Sequence, residues 1–349
     1  MTERRTATMK DVARASGVSQ TTVSLHLNAR IQLPPETARH IDEAIAALDY
    51  RPNARARSLA KGSSQTLGFV TTDIAYPFFA AIASAAEAEA ALAGFSLVIF
   101  NSRNETAREL AFLSKIEDGQ IDGALFMTNH VDDGSLRAKI DKCRKVVLLD
   151  EDVAGTCVPK IFVENEAGAR LATEHLLAQG HRRIAFVSGP QGMTSSCERL
   201  RGFNAAMRAA GVPPRPGFVQ FGTYDEASGM AAFAVLRAIE PRPTAILATA
   251  DSLAIGIIRA ARAAGVAVPR DLSIVGFDDM LHMDLLDPPL TAVRQSIAEL
   301  GRRGVRALVA LLAGTVPAET VSRVPVELMI RGSVAPPAGA RAGGRVRVA

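Results

Sequence analysis

With 349 residues, of which 48% are hydrophobic, the chain can bury a large core and divide into two or three domains. Tryptophan is absent and aromatics make up only 5%, so Ala, Val, Leu and Ile must build that core, and no apolar run approaches the roughly 18 residues of a membrane span. Cys143, Cys157 and Cys197 lack CxxC or histidine spacing, which excludes a disulfide framework and a zinc site, while the polar N-terminus without an apolar signal core points to a cytoplasmic protein.

Charge is unevenly placed. Residues 1–62 carry ten Lys/Arg against six acids, so the entire net charge of +4 falls there and the remainder balances. Phosphate neutralisation needs positive charge at such a place.

Met9 to Ser24 reads as a helix, a tight turn and a second helix. Val12, Ala13, Val18 and Val23 sit where two short helices crossing steeply need small or branched packing groups. Gly17 can take the left-handed turn conformation, and Ser19 supplies an N-cap oxygen for the second helix. This is a helix-turn-helix pattern, whose second helix fits the major groove of DNA; a chance helical hairpin is the competing reading. Pro35-Glu36 opens a third helix with Ile41, Ala44, Ile45 and Leu48 as its buried stripe. Asn53 to Ala60, within the basic stretch Tyr50–Gly62, is too short for a stable helix without a partner; it folds on DNA or is a flexible basic linker.

From Leu67 onward short apolar runs alternate with helical patterns. Candidate strands are Leu67–Thr72, Ser96–Asn101, Gly123–Thr128, Lys145–Asp150, Arg183–Ser188, Phe218–Phe221, Ala245–Thr249 and Ser273–Phe277, with helices such as Phe78–Ala93, Ala167–Gln179 and Leu253–Ala264 between them. Continuous hydrophobicity marks strands covered on both faces, hence parallel sheets with crossover helices. Eight units exceed one ordinary sheet, so two doubly wound lobes are expected, with a seam near Glu164-Asn165. A return crossing near Thr291–Gln295 would carry the chain back to the first lobe, and Ser322–Ile330 would finish in the second. The predicted organisation is a small all-α helix-turn-helix domain over 1–50, a hinge over 51–62, and an α/β two-lobed body over 63–334. Its first lobe covers about 63–164 and 294–322, its second about 165–293 and 323–334, and 335–349 form a disordered tail rich in Pro, Gly, Ala and Arg. Asp73-Ile74-Ala75-Tyr76-Pro77 stands where a nucleotide-type glycine loop would follow the first strand. Two facing lobes instead create a small-molecule site at the carboxyl ends of strands.

From residue 9 to 334 these motifs resemble the lactose-repressor/galactose-repressor (LacI/GalR) family of bacterial transcription regulators. The head and basic stretch carry the likeness first. Gly180-His181-Arg182-Arg183-Ile184, Glu198-Arg199-Leu200-Arg201-Gly202-Phe203 and Ile274-Val275-Gly276-Phe277-Asp278-Asp279 continue it, followed by Asp287-Pro288-Pro289-Leu290-Thr291. The resemblance implies a hinge helix over Asn53–Ala60, with Leu59 as a wedge between base pairs and Asn53, Arg55, Arg57 and Ala60 beside it in the minor groove. Leu25 replaces an arginine usual in the recognition helix and can touch only a thymine methyl, so Gln20 and Thr21 become the main base-reading candidates, with Thr22 and Ser24 on phosphate.

For the cleft, the resemblance implies that Arg199 and Asp278 hold polar groups of an effector, that Phe78, Phe79 and Tyr224 offer aromatic faces, and that Asp73, Asp150, Asp251 and Gln295 complete the lining. Arg199 could alternatively sit in a helix-surface ion pair, Asp278 or Asp279 could cap the next segment, and one of the two phenylalanines could be core. Tyr76 and Ala250 replace asparagines usual in the family, removing amides that commonly bind sugar hydroxyls. The function implied is a homodimeric repressor, without metal or cofactor, whose affinity for double-stranded operator DNA is set by a small-molecule effector, a sugar or other polar metabolite. A regulator with a degenerate cleft is the alternative. A secreted solute-binding protein of the same fold conflicts with the N-terminus, and an enzyme using Asp278 and Asp279 lacks a third acid, nucleophile or metal cluster.

Overall fold

In the computed structural model, which describes residues 7–27, 31–50, 62–315 and 320–338, Thr8 starts the first helix with a reciprocal capping box to Asp11. This helix, α1 (Met9–Ser16), stops where Gly17 enters the left-handed region at φ +71°, letting the Val18 N–H donate back to the Ala13 carbonyl at 3.1 Å. Ser19 then caps α2 (Gln20–Leu27) by accepting from the Thr22 N–H at 3.0 Å. Proline at the first turn of α3 (Pro35–Ala47) sets its start. Val12, Ala13, Val23, Ile41 and Ala44 close the small core together with Tyr50. The third-helix stripe predicted from sequence is one residue too long: Leu48 is 36% exposed, and Tyr50 takes its place. The hinge residues Asn53, Arg55, Arg57, Leu59 and Ala60 lie outside the described residues.

A second compact unit begins at Gln65. Its strands are β1 (Thr66–Thr71), β2 (Ser96–Asn101), β3 (Gly123–Phe126), β4 (Val146–Leu149), β5 (Lys160–Val163), β6 (Ile184–Ser188), β7 (Val219–Phe221), β8 (Ala245–Ala248), β9 (Ser273–Asp278), β10 (Thr291–Gln295), β11 (Val321–Val324) and β12 (Val326–Met329). The first sheet has the order β11-β5-β4-β3-β1-β2 and is parallel throughout. The second has the order β12-β10-β9-β8-β6-β7, parallel except for the antiparallel β10–β12 pair. The central strands β3, β4, β6, β8 and β9 are buried along their whole length, as two covered faces require.

Crossover helices complete the layers. The first lobe has α4 (Pro77–Leu92), α5 (Thr106–Glu117) and α6 (Ser135–Cys143); the second has α7 (Asn165–Ala178), α8 (Thr194–Ala209), α9 (Glu226–Ala238) and α10 (Asp251–Ala263). The last helix, α11 (Ile297–Leu312), packs on α4 and on the first sheet. Among the described residues, no helix is long and apolar enough to cross a membrane.

Four sequence expectations need correction. The sequence pattern does not mark strand β5, because three apolar residues after Lys160 are too short a run to signal a strand. Thr291–Gln295 does not itself leave the second lobe: it pairs with β9 and β12, and the chain crosses only after Gln295. Likewise Ser322–Val324 belongs to the first sheet beside β5, and the third crossing falls at Pro325, whose missing N–H ends that ladder. The tail is also held further than expected, since the Ala335 carbonyl accepts from Ser273 Oγ at 3.0 Å and its N–H donates to that same oxygen at 3.1 Å.

Candidate functional site

The carboxyl ends of β1, β4, β9 and β10 converge on a cavity of about 330 Å³ between the two sheets. Asp73, Phe78, Phe79 and Asp150 line it from the first lobe, and Arg199, Tyr224, Asp278 and Gln295 from the second. A neighbouring, more open space of about 550 Å³ shares Asp73 and Tyr224 and adds Asn101, Arg103 and Asn104.

Two of the acids stand at unusual backbone positions. Asp150, just after β4, has φ +65°, and Asp278, the last residue of β9, has φ +108°. Left-handed backbone at a non-glycine residue costs about 1–3 kcal/mol and persists where surroundings over-determine it, typically at functional sites. Asp278 Oδ1 accepts from Gln295 Nε2 at 2.6 Å, whereas Gln295 Oε1 and Asp150 Oδ1 are buried without a hydrogen-bond partner among the described residues. Burial pushes the Asp278 carboxyl up to about 7 and also raises Asp150; the Arg199 guanidinium opposes the rise at both.

Arg199 on α8 is buried rather than a surface ion-pair member. Its Nε donates to Asn165 Oδ1 at 2.8 Å and its Nη1 to the Thr249 carbonyl at 2.6 Å, while the guanidinium lies 3.9 Å above the Phe277 ring. Among the described residues Nη2 takes part in no hydrogen bond, which leaves a donor for the cavity. Asn165 in turn gives Nδ2 to Glu198 Oε2 at 3.2 Å, and Glu198 is held by Arg323.

Tyr224 lies against the backbone of Gly189, where an added Cβ would come 2.3 Å from the ring, and its hydroxyl meets Ser196 Oγ at 3.0 Å and Ser195 Oγ at 3.2 Å. Phe78 and Phe79 both line the cavity and both are buried, their centroids 5.3 Å apart and nearly edge-on. Tyr76 packs at 6.0 Å from Phe79, and burial followed by the Asp278 charge raises its hydroxyl. Asp73 is an exposed rim residue whose Oδ1 accepts from the Ala75 N–H at 3.0 Å.

Asp251 is the exception among the expected cleft residues. It does not line the cavity; it is buried behind it, accepting from the Met280 N–H at 2.7 Å, and burial with the nearby Asp278 raises it well above the usual range. Asp279 pairs with Arg294 at 2.7 Å and Arg331 at 2.6 Å, so it fixes the β9 end rather than forming an acid pair with Asp278. Sequence reasoning missed Glu151, Asn165, Glu198, Ser195, Ser252, Asn129 and Arg323, which no local pattern marks. No group of three or more His, Cys, Asp or Glu suited to a metal ion occurs among the described residues.

In the first unit, Gln20 and Thr21 are exposed at the start of α2, and Ser24 and Leu25 are half-buried one turn on. Thr22 spends its N–H and hydroxyl on Ser19. His26 Nε2 lies 2.8 Å from Asp42 Oδ1, tying α2 to α3.

A helix-turn-helix unit followed in the chain by a two-sheet body with an interlobe cavity defines a ligand-responsive DNA-binding regulator. Residues 8–53 match the model for bacterial regulatory proteins of the lacI family, and residues 173–334 match a periplasmic binding protein-like domain. The chain belongs to the LacI family. It is 35% identical over 302 residues to the HTH-type transcriptional repressor PurR of Actinobacillus pleuropneumoniae serotype 3 (strain JL03), covering 86% of this chain and 90% of that protein. Against the HTH-type transcriptional repressor CytR of Escherichia coli (strain K12) the identity is 31%, over 94% of this chain and 96% of CytR. The Lac repressor dimer bound to operator and the anti-inducer ONPF superposes with a TM-score of 0.84 at 28% identity, covering 95% of this chain and 100% of that one. A transcriptional regulator CelR–cellobiose complex gives 0.73 at 30% identity, over 94% and 99%. These relatives are transcriptional regulators rather than enzymes.

Proposed function

We propose that this regulator is a cytoplasmic homodimeric repressor whose operator affinity is set by an uncharged, hydrogen-bond-donating effector, a sugar or related polar metabolite such as a nucleoside, bound between the lobes. The observation that carries this is the pair of buried acceptors without partners, Asp150 Oδ1 and Gln295 Oε1, in the wall of a cavity that also receives the spare Arg199 donor. Buried polar atoms without partners cost about 1–3 kcal/mol each, so a ligand bringing O–H or N–H donors gains what the empty site lacks. An anionic ligand would meet Asp150 and Asp278 instead. The rings of Phe78, Phe79 and Tyr224 supply flat apolar walls suited to a sugar face or a heterocycle.

On DNA, Gln20 and Thr21 read base edges, Leu25 touches a thymine methyl, and Thr22 and Ser24 meet phosphates. Asn53, Arg55, Arg57, Leu59 and Ala60 enter the minor groove at the operator centre, with Leu59 as the wedge. Dimerisation places two heads on a pseudo-palindrome. The open edge strand β2 supports it, since Val98 and Ile99 are 40% and 45% exposed there.

Thermal-shift and calorimetric titration of the full chain against hexoses, disaccharides, nucleosides and carboxylates tests the effector class. Neutral polyhydroxylated compounds should raise Tm and bind, and Arg199→Ala should abolish the response while DNA binding persists. Binding confined to carboxylates would overturn the ligand class, and no binding by any compound would favour a degenerate cleft.

A further inference from the structure

Helix α8 begins without a cap of its own: Met193 precedes Thr194 and offers no side-chain acceptor to the first-turn N–H groups. The acceptor comes from the other lobe. After β4 the backbone turns at Asp150 and delivers Glu151 to the start of α8. Glu151 Oε1 accepts from the Thr194 N–H at 2.5 Å, and Oε2 accepts from the Ser195 N–H at 3.2 Å and from Ser195 Oγ at 2.6 Å. Only 3% of this carboxyl-bearing residue is exposed, and it lies outside the cavity lining, whereas Ser195 and Tyr224 are part of it.

We propose that Glu151 is the latch and positioning residue of the cleft: a first-lobe carboxylate that grips the opening turn of the second-lobe helix α8 and, through Ser195, sets Tyr224 in the cavity wall. The free N–H groups and the helix dipole offset part, though not all, of the cost of burying this carboxyl in its ionised form. Opening the lobes breaks three hydrogen bonds at once and returns those N–H groups to water. The latch deepens the effector reading given above, because closure of the lobes and the pose of Tyr224 then share one side chain. It exists without any effector, so its test is independent of that reading.

The groups around Glu151 fix the sign of its pH response. Asp150 is the charge that acts on it most, from the preceding position; Asp152 on the other side is paired with Lys160 at 2.6 Å. Helix α8 contributes N–H groups and Ser195, and the loop before α9 contributes the Tyr224 hydroxyl. Burial is the largest influence and holds the closed carboxyl up at about 7, against an ordinary carboxyl when the lobes part. The closed state therefore binds the proton more tightly, and closure weakens as pH rises from about 5 to 7, by up to roughly tenfold per pH unit.

Hydrogen exchange of the full chain, measured by mass spectrometry without effector and corrected for intrinsic rates, tests this. In Glu151→Gln the amide nitrogen faces the Ser195 N–H, so the amides of Thr194 and Ser195 should exchange about tenfold faster than in wild type. The wild-type rise in exchange between pH 5.5 and 7.5 should shrink in the variant to the part that Asp150 and Asp278 supply. Ser195→Ala, which removes only the hydroxyl, should loosen the same turn about threefold, and it decides the matter if the Gln variant does not fold. Exchange at Thr194 and Ser195 within twofold of wild type in the variants, with superimposable pH profiles, overturns the latch.

Discussion

Arg323 and Glu198 join the two lobes at a crossing. The guanidinium on β11 of the first sheet meets the carboxylate on α8 of the second lobe through Nη2 to Oε1 at 2.5 Å and Nη1 to Oε2 at 2.9 Å. Glu198 also receives Asn165 Nδ2, and Asn165 Oδ1 receives Arg199 Nε. A continuous chain of side chains thus runs from a crossing strand to the arginine that faces the cavity. Such a packed polar network has few alternative arrangements, so a ligand that engages Arg199 acts on a group already tied to both lobes.

Arg323→Met should therefore do more than remove a surface charge. It leaves Glu198, whose side chain is 6% exposed, without its main cation. Breaking a fully buried pair costs about 3–5 kcal/mol and an exposed one under about 1; with Arg323 itself 34% exposed, a loss of about 2 kcal/mol is expected in urea unfolding. The double variant with Glu198→Met should recover most of it. An unchanged midpoint in the single variant would remove the pair from the account.

Gly189→Ala separates cavity shape from fold. The new methyl would lie 2.3 Å from the Tyr224 ring, so the ring must leave its place, while β6, which ends at Ser188, keeps its ladder. Effector affinity should fall about tenfold, the loss of roughly one aromatic contact, with operator binding in the absence of effector unchanged. Calorimetry and a DNA shift assay on the same preparation check both halves.

Much of this molecule is legible in one dimension. Runs such as Ala245–Thr249 and Ser273–Phe277 are apolar on both faces, and that alone announces covered parallel strands. Gly17 and Ser19 announce their turn because each acts within four residues of itself. The cleft acids that end strands, Asp150 and Asp278, stand out as charges closing apolar runs. What escapes is set by distance along the chain. Asn165, Glu198 and Arg323 belong to three segments up to 158 positions apart and touch only after both sheets have formed. Asp251 looks like its neighbours in sequence, yet its side chain bends toward the Met280 N–H behind the cavity. Strand β5 escapes because its four residues borrow their order from β4 and β11.

Asp278 makes the body sensitive to pH. Its carboxyl is held at about 7 in the folded chain, chiefly by burial, against roughly 3.9 when unfolded. The native state thus binds the extra proton, and the stability this contributes is full below about pH 4 and is lost as pH rises through 7. Asp278→Asn should flatten part of that decline and leave the variant more stable than wild type by about 1–2 kcal/mol at pH 8, with Glu151 accounting for a remaining slope. Urea midpoints from pH 4.5 to 8 measure it; a wild-type midpoint that rises across this range contradicts the assignment.

Two substitutions on the DNA side should fail differently, and the contrast is the test. Gln20 is exposed at the first position of α2, where a side chain can reach a base edge. On the base-reading role proposed for it, Gln20→Ala removes a bidentate contact worth about 1–3 kcal/mol, so affinity for a selected palindrome should drop at least about tenfold. Because the contact is to a base, non-specific binding and its salt slope should stay as they were. The wedge role proposed for Leu59 would act through deformation instead: unstacking a base step costs a few kcal/mol, recovered by the surface that bending brings together. Leu59→Ala should weaken specific binding and also straighten the bound duplex, visible as a loss of end-to-end energy transfer on a doubly labelled operator. Gln20→Ala should leave the bend intact. A Leu59→Ala protein that bends DNA as wild type does would deny the wedge its role, whatever happened to affinity.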